Sequence, residues 1–224
     1  MPRERRILVI NPNSTASMTK KIGEAACAAA SSEVRITAIN PESGPAAIQG
    51  AADGAAALPG LFELVDTCLK TGEPVDALVI ACFDDTGLWE LKRKLSVPVL
   101  GIGEAAYHAA ALSAERFSVV TTLPVSIPVL EENLEQNGLA HRCAKVRASE
   151  VPVLELESNS EDARDKIRRE IAQALAHDDI RAIALGCAGM AELAEDLTAE
   201  FGVPVIDGVA AAIKLAESLL SMRS

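Results

Sequence analysis

Aromatic side chains are scarce in this sequence, which has one Trp, one Tyr and four Phe among 224 residues. Hydrophobic residues nevertheless make up 49% of the chain, so the core must be built mainly from alanine and branched aliphatic side chains. The length is enough for one large domain or for two small lobes. This composition favours helices packed closely on a sheet, and it predicts an α/β protein.

Positive charge is also in deficit, because 21 Lys and Arg face 32 Asp and Glu, which gives a formal net charge of −11. Such a surface repels phosphate backbones and anionic membranes, so nucleic acids and membranes are excluded as expected partners. The apolar run after the charged amino terminus, Ile7–Ile10, is too short for a secretory signal or a spanning helix. We therefore expect a cytoplasmic protein.

The sequence lacks the spacings that mark disulfide frameworks and metal sites. Its five cysteines are an odd number, lie far apart and include no Cys-x-x-Cys pair. The three histidines, His108, His141 and His177, fall in or beside helical segments and far in sequence from the motifs described next. We expect reduced thiols and no metal site, and a Cys-His hydrolase is disfavoured.

Two stretches with the same pattern carry most of the functional information. Residues 77–87 and 182–190 each contain an apolar run that ends in a cysteine, Cys82 in the first and Cys187 in the second. A short apolar run before a helical pattern is typical of a buried parallel strand, and its carboxyl end opens onto the ligand crevice. A helix that starts there favours ionisation of a nearby thiol. We expect both thiols to be functional.

The chain repeats itself at a nearly constant spacing. Cys82 and Cys187 are 187 minus 82, or 105, residues apart, and Val97-Pro98-Val99 recurs as Val203-Pro204-Val205 at an offset of 106. The strand and turn of residues 7–12 likewise resemble residues 117–122. The repeat predicts two pseudo-symmetric, flavodoxin-like α/β lobes, each a short parallel sheet flanked by helices. The predicted lobes are residues 1–100 plus 207–224 and residues 101–206, with the active site in the cleft between them.

Several elements can be placed from periodicity. A long loop rich in Gly and Pro, residues 40–50, precedes a helix predicted over Leu61–Lys70. In the second lobe, Val151–Leu156 resembles a strand, Ser160–Ala176 an amphipathic helix, and Asp207–Leu220 a final helix. The last helix is expected to pack back on the first lobe.

A cleft with one thiol on each wall suits the inversion of a carbon centre. One sulfur takes a proton from one face and the other sulfur returns a proton to the opposite face. The intermediate enolate needs hydrogen-bond donors, which the predicted strand ends supply through Asn13, Ser14, Thr121 and Thr122.

The motifs of the whole chain together resemble the hydantoin racemase family of the aspartate/glutamate racemase superfamily. The resemblance rests on residues 11–15, Gly44-Pro45, 81–85, 101–105, 119–122, 185–190 and 204–208. It implies two pseudo-symmetric lobes and cofactor-independent racemisation at C5 of a 5-substituted hydantoin, with Cys82 and Cys187 as the acid/base pair. It also implies that Asn13, Thr121, Thr122 and the amides near Gly186 and Ala188 hold the ring.

The resemblance leaves the C5 substituent open. Pro45, Ile48, Gln49 and Asp84 fall in stretches that line the expected pocket, and Gln49 and Asp84 favour a polar substituent such as the ureido group of allantoin. Decarboxylation or cis-trans isomerisation in the same cleft is the nearest alternative, and a non-catalytic small-molecule binding protein is an alternative of another class. A homo-oligomer is the expected assembly.

Overall fold

The computed structural model describes residues 4–71, 74–158 and 160–222, and it contains two four-stranded parallel sheets. The first sheet has the order β2-β1-β3-β4 and the second has the order β6-β5-β7-β8. The strands of the first sheet are β1 Arg5–Ile10, β2 Val34–Ile39, β3 Ala77–Ile80 and β4 Val99–Gly101; those of the second are β5 Phe117–Thr121, β6 Cys143–Ala148, β7 Ala182–Gly186 and β8 Val205–Asp207.

Helices connect consecutive parallel strands in both halves of the chain. They are α1 Ala16–Ala29, α2 Ala51–Thr71, α3 Leu88–Lys94, α4 Ile102–Ser113, α5 Ile127–Gln136, α6 Glu161–His177, α7 Ala194–Phe201 and α8 Gly208–Met222. The identical strand order in the two sheets confirms the fold predicted from the repeat, two pseudo-symmetric lobes of doubly wound type. The lobe boundaries at residues 100 and 207 stay a prediction.

Helix α2 is longer than its sequence pattern indicates. It begins at Ala51, ten residues before the predicted start at Leu61, and it continues through Pro59. Residues 51–58 are rich in alanine, the strongest helix former, and Gly50 with φ +90° ends the preceding loop. The prediction of a late start was therefore wrong, because apolar periodicity alone misses a helix segment built from alanine.

The predicted strand at Val151–Leu156 is also wrong. Glu150 has φ +58° and turns the chain, and Pro152 has no N–H group to continue a sheet ladder. Residues Val153–Ser158 instead form a 3₁₀ segment, in which side chains three residues apart share one side. Val153 and Leu156 are both buried as a result.

One apolar cluster joins the two lobes. It includes Val9 and Val79 of the first sheet, Val119 and Ala184 of the second, and Tyr107 of α4, all with almost no exposed surface. Helix α8 packs against α1 and α4, as expected for a final helix that returns to the first lobe. Within the described ranges, no helix is long and apolar enough to cross a membrane.

Candidate active site

A cavity with about 560 Å³ of free space opens at the carboxyl ends of the two sheets, between the lobes. Its lining comes mainly from the ends of β1, β3, β5 and β7 and from the segments that follow them, and two further residues come from the segments after β2 and β6. The residues are Asn11, Asn13, Met18, Lys21, Ile22, Ile48, Ala81, Cys82, Phe83, Asp84, Thr122, Ser126, Val153, Gly186, Cys187, Ala188 and Gly189.

Eight of the residues singled out from the sequence lie on the wall of this cavity: Cys82, Cys187, Asn13, Ile48, Asp84, Thr122, Gly186 and Ala188. The other four lie outside the lining. Gln49 and Thr121 bond to the lining residues Val153 and Gly186, whereas Ser14 and Pro45 bond to each other. The structure thus brings the two cysteines to one cavity, one from each lobe, with neutral polar groups and the charged Lys21 and Asp84 on the same wall. In the part of the chain that the structure describes, no group of three His, Cys, Asp or Glu side chains is arranged to hold a metal ion.

Cys82 is a shielded thiol. It lies two residues after the end of β3 and is only partly exposed, and Thr86 Oγ1 lies 3.7 Å from its Sγ. Burial raises the pKa of Cys82 well above its ordinary value, and the charges of Asp84 and Cys187 raise it further. The expectation that a thiol at this place ionises more easily is wrong for Cys82, because burial is the largest influence on its pKa and α3 begins only at Leu88, six residues further along the chain.

The turn after β1 organises one wall of the cavity. Asn11 Nδ2 donates to Asn13 Oδ1 at 2.9 Å and to Thr19 Oγ1 at 3.0 Å, and Asn13 Oδ1 also accepts from the N–H of Thr15 at 2.9 Å. Ser14 Oγ donates to the carbonyl oxygen of Gly44 at 3.1 Å. The hydroxyl of Ser14 therefore fixes the 40–50 loop rather than facing the cavity.

The 40–50 loop reaches across to the second lobe. Gln49 Oε1 accepts a hydrogen bond from the N–H of Val153 at 3.0 Å, and Asp84 Oδ2 accepts one from the N–H of Gly50 at 3.1 Å. Burial raises the pKa of Asp84 to about 6, although the bond from Gly50 lowers it. Gln49 thus closes the loop over the cavity, and the Asp84 carboxyl is left as an ionisable group on the wall.

A close contact between two strand ends positions Cys187. Thr121 Oγ1 donates to the carbonyl oxygen of Gly186 at 3.0 Å, directly before the cysteine. A Cβ atom at Gly186 would lie 2.7 Å from Thr121 Cα, so only glycine allows the backbones to approach this closely. Thr121 acts as a support for the Cys187 turn, while Thr122 lies on the cavity wall.

Asp85 ties the Cys82 loop to the start of α4. Its Oδ1 and Oδ2 accept hydrogen bonds from the N–H groups of Gly103 at 2.9 Å and Glu104 at 2.7 Å. Gly101 makes room for it, because a Cβ there would lie 1.9 Å from Asp85 Oδ1. In the second lobe the equivalent helix α8 is capped by the last residue of its own strand, Asp207, which accepts from Val209 and Ala210 at 2.9 Å each.

Replacing Asp85 by alanine should lower the free energy of unfolding by about 2 kcal/mol, because two buried N–H groups lose their acceptor. The variant should also lose any activity that depends on Cys82, since the loop with Cys82 is released from α4. Chemical denaturation and an activity assay check the two effects. Asp85→Asn keeps an acceptor and should lose less stability, whereas the exposed Asp196→Ala at the start of α7 should change neither. Equal stability of Asp85→Ala and Asp196→Ala would contradict the role given to Asp85.

Sequence reasoning missed several residues on the cavity wall. Met18, Lys21 and Ile22 lie one helical turn apart on the face of α1 that lines the cavity, and Ser126 and Val153 come from the second lobe. The spacing of the three α1 residues was a signal available in the sequence. No such signal exists for Val153, because the pattern of residues 151–156 predicts a strand and not the 3₁₀ segment that brings Val153 to the cavity.

Two related α/β lobes, with a thiol from each at the wall of one interlobe cavity, define the two-lobed racemase class of protein. Residues 7–216 match the family model described as Asp/Glu/Hydantoin racemase, and the chain belongs to this family. It is therefore an isomerase of the racemase type.

Individual relatives agree over nearly the whole chain. The hydantoin racemase of Rhizobium meliloti is 46% identical over 214 residues, which is 96% of this chain and 88% of the relative. The structure of allantoin racemase from Klebsiella pneumoniae superimposes with a TM-score of 0.92 at 45% identity, over 98% of this chain and 89% of that one. The allantoin racemase of Pseudomonas fluorescens gives a TM-score of 0.92 at 40% identity, over 97% and 92%.

Proposed function

We propose that the protein racemises 5-substituted hydantoins at C5 by proton transfer between Cys82 and Cys187. The observation that carries this proposal is the pair of thiols, one after β3 and one after β7, on the wall of a single cavity. Both thiols line the same cavity, so one small substrate bound there can lie between them. Cyclic ureides are also the compounds in the names of the most similar relatives.

The surrounding groups suit a planar intermediate. Removal of the C5 proton leaves a carbanion next to a ring carbonyl, and the charge moves onto that oxygen as an enolate. The backbone N–H groups near Gly186 and Ala188, the Thr122 hydroxyl and the Asn13 amide line the cavity and are the donors for the ring oxygens. An acid and a base on opposite faces complete the reaction, so the proposed chemistry requires no cofactor.

Asp84 selects the C5 substituent in this proposal. The amide oxygen of Gln49 accepts a hydrogen bond from the N–H of Val153, whereas Asp84 lines the cavity beside Cys82. Because the pKa of Asp84 is about 6, the carboxyl is mainly ionised at neutral pH and accepts hydrogen bonds from N–H donors. The ureido group of allantoin carries such donors, while a benzyl substituent has none.

Polarimetry on a panel of single enantiomers tests both statements. Without added cofactor or metal, the protein should remove the optical rotation of allantoin and of 5-alkylhydantoins, and it should act faster on allantoin than on 5-benzylhydantoin. Asp84→Asn should reduce the allantoin preference several-fold, since an amide is a weaker acceptor than a carboxylate. Faster turnover of benzylhydantoin by the unaltered protein would contradict the polar substituent, and no loss of rotation with any hydantoin would contradict the function.

The alternative reactions give different readouts on the same samples. A decarboxylase releases carbon dioxide from a substituted malonate and needs a single proton donor, so it does not explain a second thiol in the cavity. A binding protein would leave the C5 proton in place, whereas a racemase exchanges it with heavy water.

A further inference from the structure

Asn133 of α5 places a polar side chain at a buried position of the second lobe. Helix α5 connects β5 with β6 of the second sheet, and its buried residues are Leu130, Asn133 and Leu134. Asn133 is 8% exposed. A buried amide costs free energy unless it is hydrogen-bonded, so the position of its partner indicates the role of the residue.

The partner of this amide lies in the first lobe, in the turn that follows Cys82. Asn133 Nδ2 donates to the carbonyl oxygen of Asp84 at 2.9 Å. The same peptide group contains the N–H of Asp85, whose φ of +51° lies in the left-handed region. This conformation is uncommon outside glycine and persists where the surrounding structure holds it. The bond from Asn133 therefore helps to fix the turn from the opposite lobe.

Asp84 is also bonded to Cys82 and to the 40–50 loop. Burial raises the pKa of Cys82, and a hydrogen bond from the backbone N–H of Asp84 to the thiol acts in the opposite direction. Asp84 Oδ2 accepts from the N–H of Gly50 at 3.1 Å, and Asp84 lines the cavity. A shift of the Asp84 peptide would therefore disturb a contact of the thiol and a group on the cavity wall together.

Gly50 itself lies against the second lobe. A Cβ atom at Gly50 would lie 2.7 Å from the carbonyl oxygen of Val125, which comes shortly before α5. Asp84 is thus bonded to Asn133 of α5 and to a loop residue that contacts the segment before α5. The positions of α5 and of Asp84 are linked through both contacts.

We propose that Asn133 is a positioning residue that holds the Asp84 peptide, so that it sets both the place of the Asp84 carboxyl and the access to Cys82. This inference rests on the proposed function, because it concerns the group that selects the C5 substituent. Asn133 lies outside the cavity lining and acts through Asp84. A substituent with N–H donors needs the carboxylate at a defined place, whereas a methyl substituent does not. Loss of the Asn133 bond should therefore weaken the preference for the polar substrate.

The first measurement is a selectivity ratio, kcat/KM for allantoin divided by kcat/KM for 5-methylhydantoin, each from the loss of optical rotation of one enantiomer. Asn133→Leu keeps the size of the side chain and removes the donor. It should lower the ratio by about fivefold, the factor that one ordinary hydrogen bond contributes. Asn133→Ala removes the donor with a smaller side chain and should act alike. A residue that only stabilises the fold would reduce both values equally and leave the ratio unchanged.

A double-mutant cycle shows whether Asn133 acts through the Asp84 carboxyl. Asp84→Asn alone should lower the ratio, and Asn133→Leu added to it should lower the ratio little further. Two effects that multiply independently would overturn the inference. The matched control is Asn137→Leu, one turn further along α5, because Asn137 Nδ2 donates to the carbonyl oxygen of Asn133 at 2.8 Å and not to the Cys82 turn. This control should keep the original ratio.

The second measurement needs no turnover. The ligand-free protein is alkylated by iodoacetamide at one fixed pH, and the rate at each cysteine is followed by peptide mass spectrometry. Asn133→Leu and Asn133→Ala should raise the rate at the shielded Cys82 several-fold and leave the exposed Cys27 unchanged, and Asn137→Leu should alter neither. An unchanged rate at Cys82, or an unchanged selectivity ratio, would overturn the inference. Absence of racemisation with every hydantoin would contradict the proposed function instead, and alkylation would still decide whether Asn133 holds the turn.

Discussion

Replacing either cavity cysteine by serine is expected to abolish racemisation, with kcat reduced by about 10³-fold or more. General acid and base catalysis contributes 10²- to 10⁴-fold, and inversion needs both groups in the same turnover. A serine hydroxyl fills nearly the same space but does not ionise near neutral pH without a base beside it. Optical rotation of single enantiomers of a hydantoin gives the rate for Cys82→Ser and Cys187→Ser.

Proton exchange in heavy water separates the roles of the two sulfurs. Each single variant keeps one cysteine, and therefore a base on one face of the ring, so it should still exchange the C5 proton of one enantiomer without inverting it. Cys82→Ser and Cys187→Ser should do so with opposite enantiomers. Cys27→Ser, an exposed thiol on α1, should behave as the unaltered protein. Racemisation by either cavity variant at a tenth of the normal rate would show that inversion does not need the cysteine pair.

The second large effect is expected far from the cavity, at an ion pair buried in the second lobe. Arg147 of β6 donates to both oxygens of Asp178 at 2.6 Å and to Glu170 at 2.8 Å. Ser118 Oγ donates to Asp178 Oδ2 at 2.8 Å. The Arg147 and Asp178 side chains are 12% and 6% exposed, and Asp178 ends α6, where the helix dipole disfavours an acid.

Arg147→Met should lower the free energy of unfolding by about 3 kcal/mol at pH 7, because it leaves the Asp178 carboxylate buried without its cation. Urea denaturation measures the loss. The matched control is Arg168→Met, which removes an ion pair with Glu200 at 2.8 Å on the surface and should change stability little. Equal losses for the two variants would contradict the buried role of the Arg147 pair.

The loss should depend on pH in a defined direction. Burial raises the pKa of Asp178, but the hydrogen bonds from Arg147 and Ser118 outweigh it and lower the pKa below its usual value. A lowered carboxyl pKa gives stability that is present above the ordinary pKa of about 3.9 and is lost as the pH falls through the folded value. In Arg147→Met the unpaired carboxyl protonates at higher pH, so the difference from the unaltered protein should shrink on acidification.

The architecture was predictable because the sequence contains the same pattern of strands and turns twice. The offsets between the two cysteines and between the two Val-Pro-Val runs are set by one repeated folding unit, and the identical strand orders follow from it. The start of α2 and the segment after Pro152 were not predictable from apolar periodicity. The high alanine content of residues 51–58 determines where α2 starts. The positive φ of Glu150 and the missing N–H group of Pro152 determine that the next residues do not form a strand.

The candidate site was predictable where a residue lies within two positions after the end of a strand, as Cys82, Thr122 and Cys187 do. Parallel strands bring their carboxyl ends to one edge, so sequence position there nearly determines spatial position. Lys21 was not found although its spacing from Met18 and Ile22 places the three on one face of α1, because the way α1 packs decides which of its faces meets the cavity. The supporting roles of Gln49 and Ser14 depend on contacts between segments far apart in sequence, which no local pattern contains.

Helices α4 and α8 are capped by residues from different kinds of segment, and this difference affects which parts of the site can change by mutation. Asp85 belongs to the loop of Cys82 and also caps α4, so substitutions in that loop risk both chemistry and stability. The turn that follows Cys187 does not cap α8, because the cap of α8 is Asp207. Mutational tolerance, and with it the easiest route to new substrate ranges by laboratory evolution, should therefore concentrate after Cys187. Libraries over residues 188–192 should retain more folded members than libraries over residues 83–87.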